Sequence, residues 1–452
     1  MKDLTSGNYK KQIINLALPM VFGMLGIIIF NIVDAAYLGH LGTKELAAIS
    51  FTFPVIMVVS SVSTGMGMGL SAILSVTLGK GDHYLASRYT TDGLLLALMI
   101  VLLVVLLGLS TITPVFQLLG AEGEVLELIH QYMKIWYIGV AFVVVPQVGN
   151  NAIRAGGDTK TPAMVMMFSA VLNAILDPLL IFGLGPFPRM GIEGAALSTV
   201  ISRMISFCVA MYILYYRDKL LVFKIAPIKE VLHSWREILY VGIPSAITRM
   251  ITPLAMGTIT GLLAVHGNNV VAGYGTATKV EGFVFVLNMA VGSVIGVFIG
   301  QNLGAKKIDR VFAGSRYANK LSLLSGLGLM VVLLAAAPLA GHIFTKDPDV
   351  QKYTTLYLRI MAVSYGFQGV FLNSNSILNV IRKPLLATAM VLIECVGLYI
   401  PLALIGDKIW GPKGIFAAIA ISNIIAGIIS VSVLRKQLNK KYNPHQQPLS
   451  QL

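Results

Sequence analysis

The chain has 452 residues, of which 56% are apolar and only 12% charged. Soluble domains carry about 25% charged residues. Half that share cannot cover a water-exposed surface of this size, so a soluble enzyme, a disordered chain and a disulfide-built secreted domain are excluded. The net charge of +14 comes from 34 Lys and Arg against 20 Asp and Glu; it is assigned to loops on one side of a membrane rather than to nucleic-acid binding.

Twelve apolar runs follow in chain order: 13–38, 46–76, 93–118, 125–151, 161–184, 192–216, 236–265, 271–301, 316–344, 351–380, 385–406 and 412–434. About 20 apolar residues span a bilayer, so each run reads as a membrane helix and the longer ones must tilt, kink or project. The first run follows Lys10 and Lys11 and contains Asn31 and Asp34, which marks it as a retained helix and not a cleaved signal. Loops alternating with these runs hold 23 Lys and Arg on one side and 6 on the other. That bias places both termini in the cytoplasm, with an even number of spans in the cell inner (plasma) membrane. Cys208 and Cys395 lie within apolar runs and can build no metal or disulfide framework.

The two halves repeat. Pro19, Gly42 and Gly79 are answered by Pro244, Gly267 and Gly304, each 225 residues on, and GIEGAALSTVIS from Gly191 is answered by GPKGIFAAIAIS from Gly411. The expected fold is an all-α integral membrane protein. Its twelve transmembrane helices form two six-helix bundles related by a pseudo-two-fold axis along the membrane normal. The domain reading is an N-lobe at 1–217, a cytoplasmic linker at 218–235, a C-lobe at 236–434 and a cytoplasmic tail at 435–452.

An ionised acid at mid-membrane costs about 2.5–3.5 kcal/mol, so intramembrane acids call for a function. Asp34 shares a helix face with Asn31 and Tyr37, and Asp177 shares one with Asn173. Thr199 and Ser202 stand on the sixth run among small residues. Carboxylates, an amide and hydroxyls converging in apolar surroundings suit a shared proton or a small hard cation. The second half does not repeat the acids: Ile259 stands 225 residues after Asp34, and Tyr399 stands near the counterpart of Asp177. Arg249, Lys279, Glu281 and Glu394 fall in runs of the second half and are candidates to pair or to line a C-lobe cavity. Arg203 is expected to snorkel toward the interface. Pro19 removes a hydrogen bond inside the first helix and is a candidate hinge. Gly79-Lys80 lacks the glycine five residues earlier that a phosphate-binding loop needs, and no HExxH is present. The chain reads as a non-enzyme without a cofactor, driven by an ion gradient.

These pieces resemble the multidrug and toxic compound extrusion (MATE) transporters, most closely the prokaryotic DinF-like branch. The strings that carry the resemblance are LALPM, NIVDAAYLGHLGTKELAA, GNNAIRAGGDTKTPA, LNAILDPLLIFGLG and GIEGAALSTVIS, in order along the whole chain. The resemblance implies alternating-access antiport: small, amphipathic, often cationic organic compounds leave while H+ or Na+ enters, through a monomer in membrane lipid. It implies a cation site at Asp34, Asn173, Asp177 and Thr199, with Pro19 as the bending proline. Phe30 departs from relatives with a Tyr four residues before the first-helix acid, so one hydrogen-bond partner of that network is absent. The alternative reading is a flippase for a lipid-linked sugar or other lipid-like substrate, for which Arg249 and Lys279 would have to face the cavity.

Overall fold

The computed structural model describes residues 2–224 and 226–442. The apolar runs fold as helices because backbone polar groups in lipid can be satisfied only within the segment or in a closed barrel. In the first half they are α1 (Tyr9–Leu41), α2 (Thr43–Gly79), α3 (His83–Leu118), α4 (Gly123–Gly139), α5 (Ala141–Ala155), α6 (Lys160–Phe182) and α7 (Gly191–Tyr212). The second half supplies α8 (Ile228–Ala264), α9 (Asn268–Val284), α10 (Val286–Gly304), α11 (Ile308–Phe344), α12 (Pro348–Ala362), α13 (Tyr365–Val380), α14 (Pro384–Leu392), α15 (Ile400–Trp410) and α16 (Pro412–Tyr442). Short π-helical stretches extend α7 through Ile213–Arg217 and join α14 to α15 through Ile393–Tyr399.

Among the described residues ten helices are long and apolar enough to cross a membrane, and the α4–α5 pair, bent by 43°, makes an eleventh. The twelfth run is α12–α13, whose first part carries Asp349, Lys352 and Arg359. The fourth run of each half is thus broken, at Val140 and at Val363–Ser364, nearly one repeat length apart.

Several helices start well before the apolar run that announced them. α3 begins at His83 because Arg88 and Asp92, one turn apart, pair at 2.5 Å and are both buried. Arg88 also donates to the Lys224 carbonyl at 2.9 Å. The sequence assigned Arg88 to a loop; the pairing lets its helical turn be buried instead.

The chain divides into two compact units. The first comprises residues 1–2 and 22–246, the second residues 3–21 and 247–452. Two of the boundaries fall inside a helix, within α1 and within α8, 225 residues apart and two residues after Pro19 and Pro244. Each unit has its own apolar core. The first is built around Leu70, Phe116, Met133 and Ile153, the second around Ile259, Tyr357, Tyr365 and Phe416. In the first unit α2 and α8 cross at glycines, since a Cβ on Gly65 would stand 2.4 Å from the Gly242 carbonyl oxygen. In the second, α15 and α16 cross at Gly406 and Gly414 in the same way. Small residues allow this close approach, which supplies packing where burial from water cannot.

Candidate functional site

α6 carries Ser169, Asn173 and Asp177 at four-residue spacing, a polar stripe on an otherwise apolar helix. That stripe faces α7, which brings Ser198, Thr199 and Ser202 against it. Asp177 and Asn173 are buried. The Ser198 hydroxyl donates to Asp177 Oδ1. With its amide turned to satisfy both ends, Asn173 donates to Asp177 Oδ2 at 3.0 Å and accepts from the Thr199 backbone N–H at 3.1 Å. The Thr199 hydroxyl lies 3.5 Å from the same amide. Ser169 donates to the Ser202 carbonyl at 3.1 Å, and the Ser202 hydroxyl to the Ser198 carbonyl at 2.8 Å. Ser169 thus ties α6 to α7, Ser202 bonds within α7, and neither contacts the acid.

Asp34 comes from α1, is half-buried, and its carboxyl lies within interaction range of that of Asp177. Two carboxyl groups can share a hydrogen bond only if one of them holds the proton. α1 approaches α6 closely about three turns away from the acids, since a Cβ on Gly23 would meet Ala163 at 3.0 Å. Next to the pair lies a narrow pocket with room for about one water molecule. Its walls include Phe30, Ser169, Asn173, Thr199, Ser202 and Arg203.

The structure thus brings together Asp34, Asn173, Asp177, Thr199 and Ser202. The side chain of Asn31 lies outside the described residues. Tyr37 packs edge-on against Phe182, with ring centroids 6.4 Å apart, in a small apolar cluster with Ile181 and Ala195. Pro19 lies within α1, which runs on through it as one helix. Arg203, expected at the interface, lines the pocket instead. In the second unit the four candidates do not converge. Glu281 accepts from the buried Tyr357 hydroxyl at 2.7 Å, and Glu394 is buried in the π-helical stretch between α14 and α15. Arg249 and Lys279 are exposed, with no ion-pair partner among the described residues.

Sequence reasoning missed Ser198, the residue that touches Asp177. Its four-residue spacing to Ser202 was the available signal. It also missed Tyr132, a buried phenol on α4 close enough to interact with both carboxyls. Nothing local distinguishes that tyrosine from its neighbours.

A repeated set of membrane helices with buried acids in its first half fits a membrane transporter. The MatE family model matches residues 19–179 and again 244–405, so the two matches begin at the paired prolines. The chain belongs to the MatE family of membrane transporters. It is 36% identical to the "FAD transporter" of Shewanella oneidensis over 95% of both chains. It is 28% identical to the "Probable multidrug resistance protein YpnP" of Bacillus subtilis over 93% of both. Among solved structures, the bent form of the Vibrio cholerae MATE transporter VcmN matches with a TM-score of 0.89 and 28% identity, over 95% of this chain and 97% of that one.

Proposed function

We propose that this chain is an antiporter of the inner membrane, with both termini cytoplasmic, that exports amphipathic organic compounds in exchange for H+ or Na+ bound between Asp34 and Asp177. The observation that carries this reading is the approach of two carboxyls within one lobe, with Ser198 and Asn173 spending their donors on Asp177. Without a cation both acids are ionised, and two carboxylates brought to about 4 Å repel by roughly 4 kcal/mol at an effective dielectric of 20. Loading a proton or Na+ turns that repulsion into a bond and draws α1 against α6. Unloading releases α1, with Pro19 as the point where a helix lacking one hydrogen bond bends most readily. The Asn173 amide suits either state. Its nitrogen faces an ionised Asp177, and after a half-turn its oxygen accepts from a protonated one. Export follows if substrate prefers the unloaded state, because each ligand shifts the equilibrium only by its differential affinity.

Two substrate classes are in play. Amphipathic cations are favoured by the multidrug relatives. An aromatic dinucleotide such as FAD is favoured by the 36% identical relative. The test is efflux of a cationic dye and of FAD from vesicles containing purified protein, with pH and sodium gradients imposed separately. Asp34→Asn is expected to fold normally and to lose gradient-driven efflux of whichever compound the parent chain carries. Unchanged coupled efflux in that variant refutes the reading. Transport of a lipid-linked sugar, with neither soluble compound moved, selects the flippase instead.

A further inference from the structure

A second cluster of charged side chains lies at the other end of α6, apart from the acid pair. A cleft of about 340 Å³ is lined by Lys2, Asp158, Lys160, Thr161 and Arg217. Arg217 is fixed in place. It pairs with Asp158 at 2.8 Å and Asp218 at 2.9 Å and donates to the Thr161 hydroxyl at 2.9 Å. Asp158 spends its oxygens on Arg217 and on the Thr161 backbone and hydroxyl. Both acids near the cleft are therefore committed. The ammonium groups of Lys2 and Lys160 are exposed and have no partner among the described residues. Lys160 also opens α6, where the unpaired backbone N–H groups add positive potential.

The surroundings of the cleft are those of a lipid boundary. Tyr212, Tyr215, Tyr216 and Phe223 are all exposed beside Arg217, and their rings contact one another at centroid distances of 4.6–5.5 Å. Exposed aromatic clusters of this kind sit at the level of the headgroups. Below Lys160, α6 presents Met164, Phe168, Val171 and Ile175 on one face, each more than half exposed. An anion seated at the lysines would have an apolar track for a hydrocarbon chain starting one helical turn away.

We infer that the Lys2–Lys160–Arg217 cleft binds the phosphodiester headgroup of an anionic phospholipid, its acyl chain lying along the exposed face of α6. This site is separate from the cation pair and does not depend on which compound is exported. A free phosphate shares the headgroup chemistry but would leave the aromatic cluster and the α6 track unused.

The test uses the full chain in detergent micelles. Native mass spectrometry counts bound phosphatidylglycerol against phosphatidylcholine, and thermal unfolding is followed with either lipid or with water-soluble glycerol phosphate. Phosphatidylglycerol is expected to be retained and to stabilise; phosphatidylcholine and glycerol phosphate are not. The double variant Lys2→Gln, Lys160→Gln is expected to bind phosphatidylglycerol more weakly, by about fivefold for each lysine lost. Lys2→Arg, Lys160→Arg is expected to bind as the parent does. Equal retention of the two lipids, or unchanged affinity in the Gln variant, overturns the proposal. Stabilisation by glycerol phosphate alone overturns the choice of a lipid occupant. If the Gln variant does not fold, the lipid comparison on the parent chain and the Arg variant still decides.

Discussion

Ser198 shows how little separates a structural hydroxyl from a functional one in this lobe. Ser202, one turn further along α7, bonds to the helix itself, whereas Ser198 donates to Asp177. Removing a hydrogen bond to a charged group costs about 1.5–3 kcal/mol. Ser198→Ala is accordingly expected to change the midpoint of cation-dependent transport by about tenfold or more in ion concentration. Ser202→Ala is expected to leave that midpoint in place, and titration of transport against pH or sodium compares the two. Asp158 offers a second residue-level test, outside the membrane. Burial alone would raise its proton affinity. The Thr161 hydrogen bonds and the Arg217 charge outweigh burial and hold its carboxyl below the usual carboxylate range. A depressed carboxylate stabilises the fold above its unfolded value and loses that contribution as pH falls through the folded value. Asp158→Asn is expected to lower thermal stability at pH 7, by about 1 kcal/mol or less because Arg217 is part-exposed. Below about pH 4 the difference should fade. Unfolding scans at both pH values check this.

At the scale of elements, helix ends and helix crossings follow different rules. Ends were misplaced by up to ten residues where charged residues pair inside a helix, as Arg88 and Asp92 do at the start of α3. Composition cannot reveal that pairing, because a paired and an unpaired arginine look alike in a sequence. Crossings depend on single glycines. Gly65→Ala would push a Cβ into the Gly242 carbonyl and the Ala246 methyl at 2.4 and 2.7 Å. It is expected to destabilise the protein by about 1–3 kcal/mol. Gly257→Ala, with nothing within 4 Å, is expected to be neutral or to stabilise by up to about 1 kcal/mol, since alanine is the better helix former. Thermal unfolding of the two variants side by side tests the contrast.

In the whole molecule, duplication is structural but not chemical. The first unit bridges α6 and α7 with an ionisable contact between Asp177 and Ser198. The second bridges the π-helical stretch and α16 with a neutral one, from Tyr399 to Asn423. A tyrosine–amide contact holds two helices together without responding to an ion gradient, so the acid pair has no counterpart there. Orientation also belongs to this scale. Single cysteines at Lys219 and Lys346, in a chain with Cys208 and Cys395 replaced, are expected to react with an impermeant thiol reagent from opposite faces of the membrane. Labelling of both from the same face would invalidate the charge-bias orientation.

The lipid environment, the number of helical runs, the duplication and the two acids are legible in the chain before it folds. Each of these is a property of composition or of regular spacing: a scarcity of charge, a run of apolar residues, a constant offset, a costly group in an apolar run. Which partners meet was decided by the tertiary structure. Asp34 and Asp177 are 143 positions apart, and only the packing of α1 on α6 brings their carboxyls within interaction range. The packing of α7 on α6 made Ser198 rather than Ser202 the donor and left Arg203 on the pocket wall, and in the second unit Arg249 and Lys279 form no ion pair with Glu281 or Glu394 among the described residues. Side-chain direction between helices depends on crossing geometry, and that geometry is a sum of many weak contacts that no local stretch of sequence records.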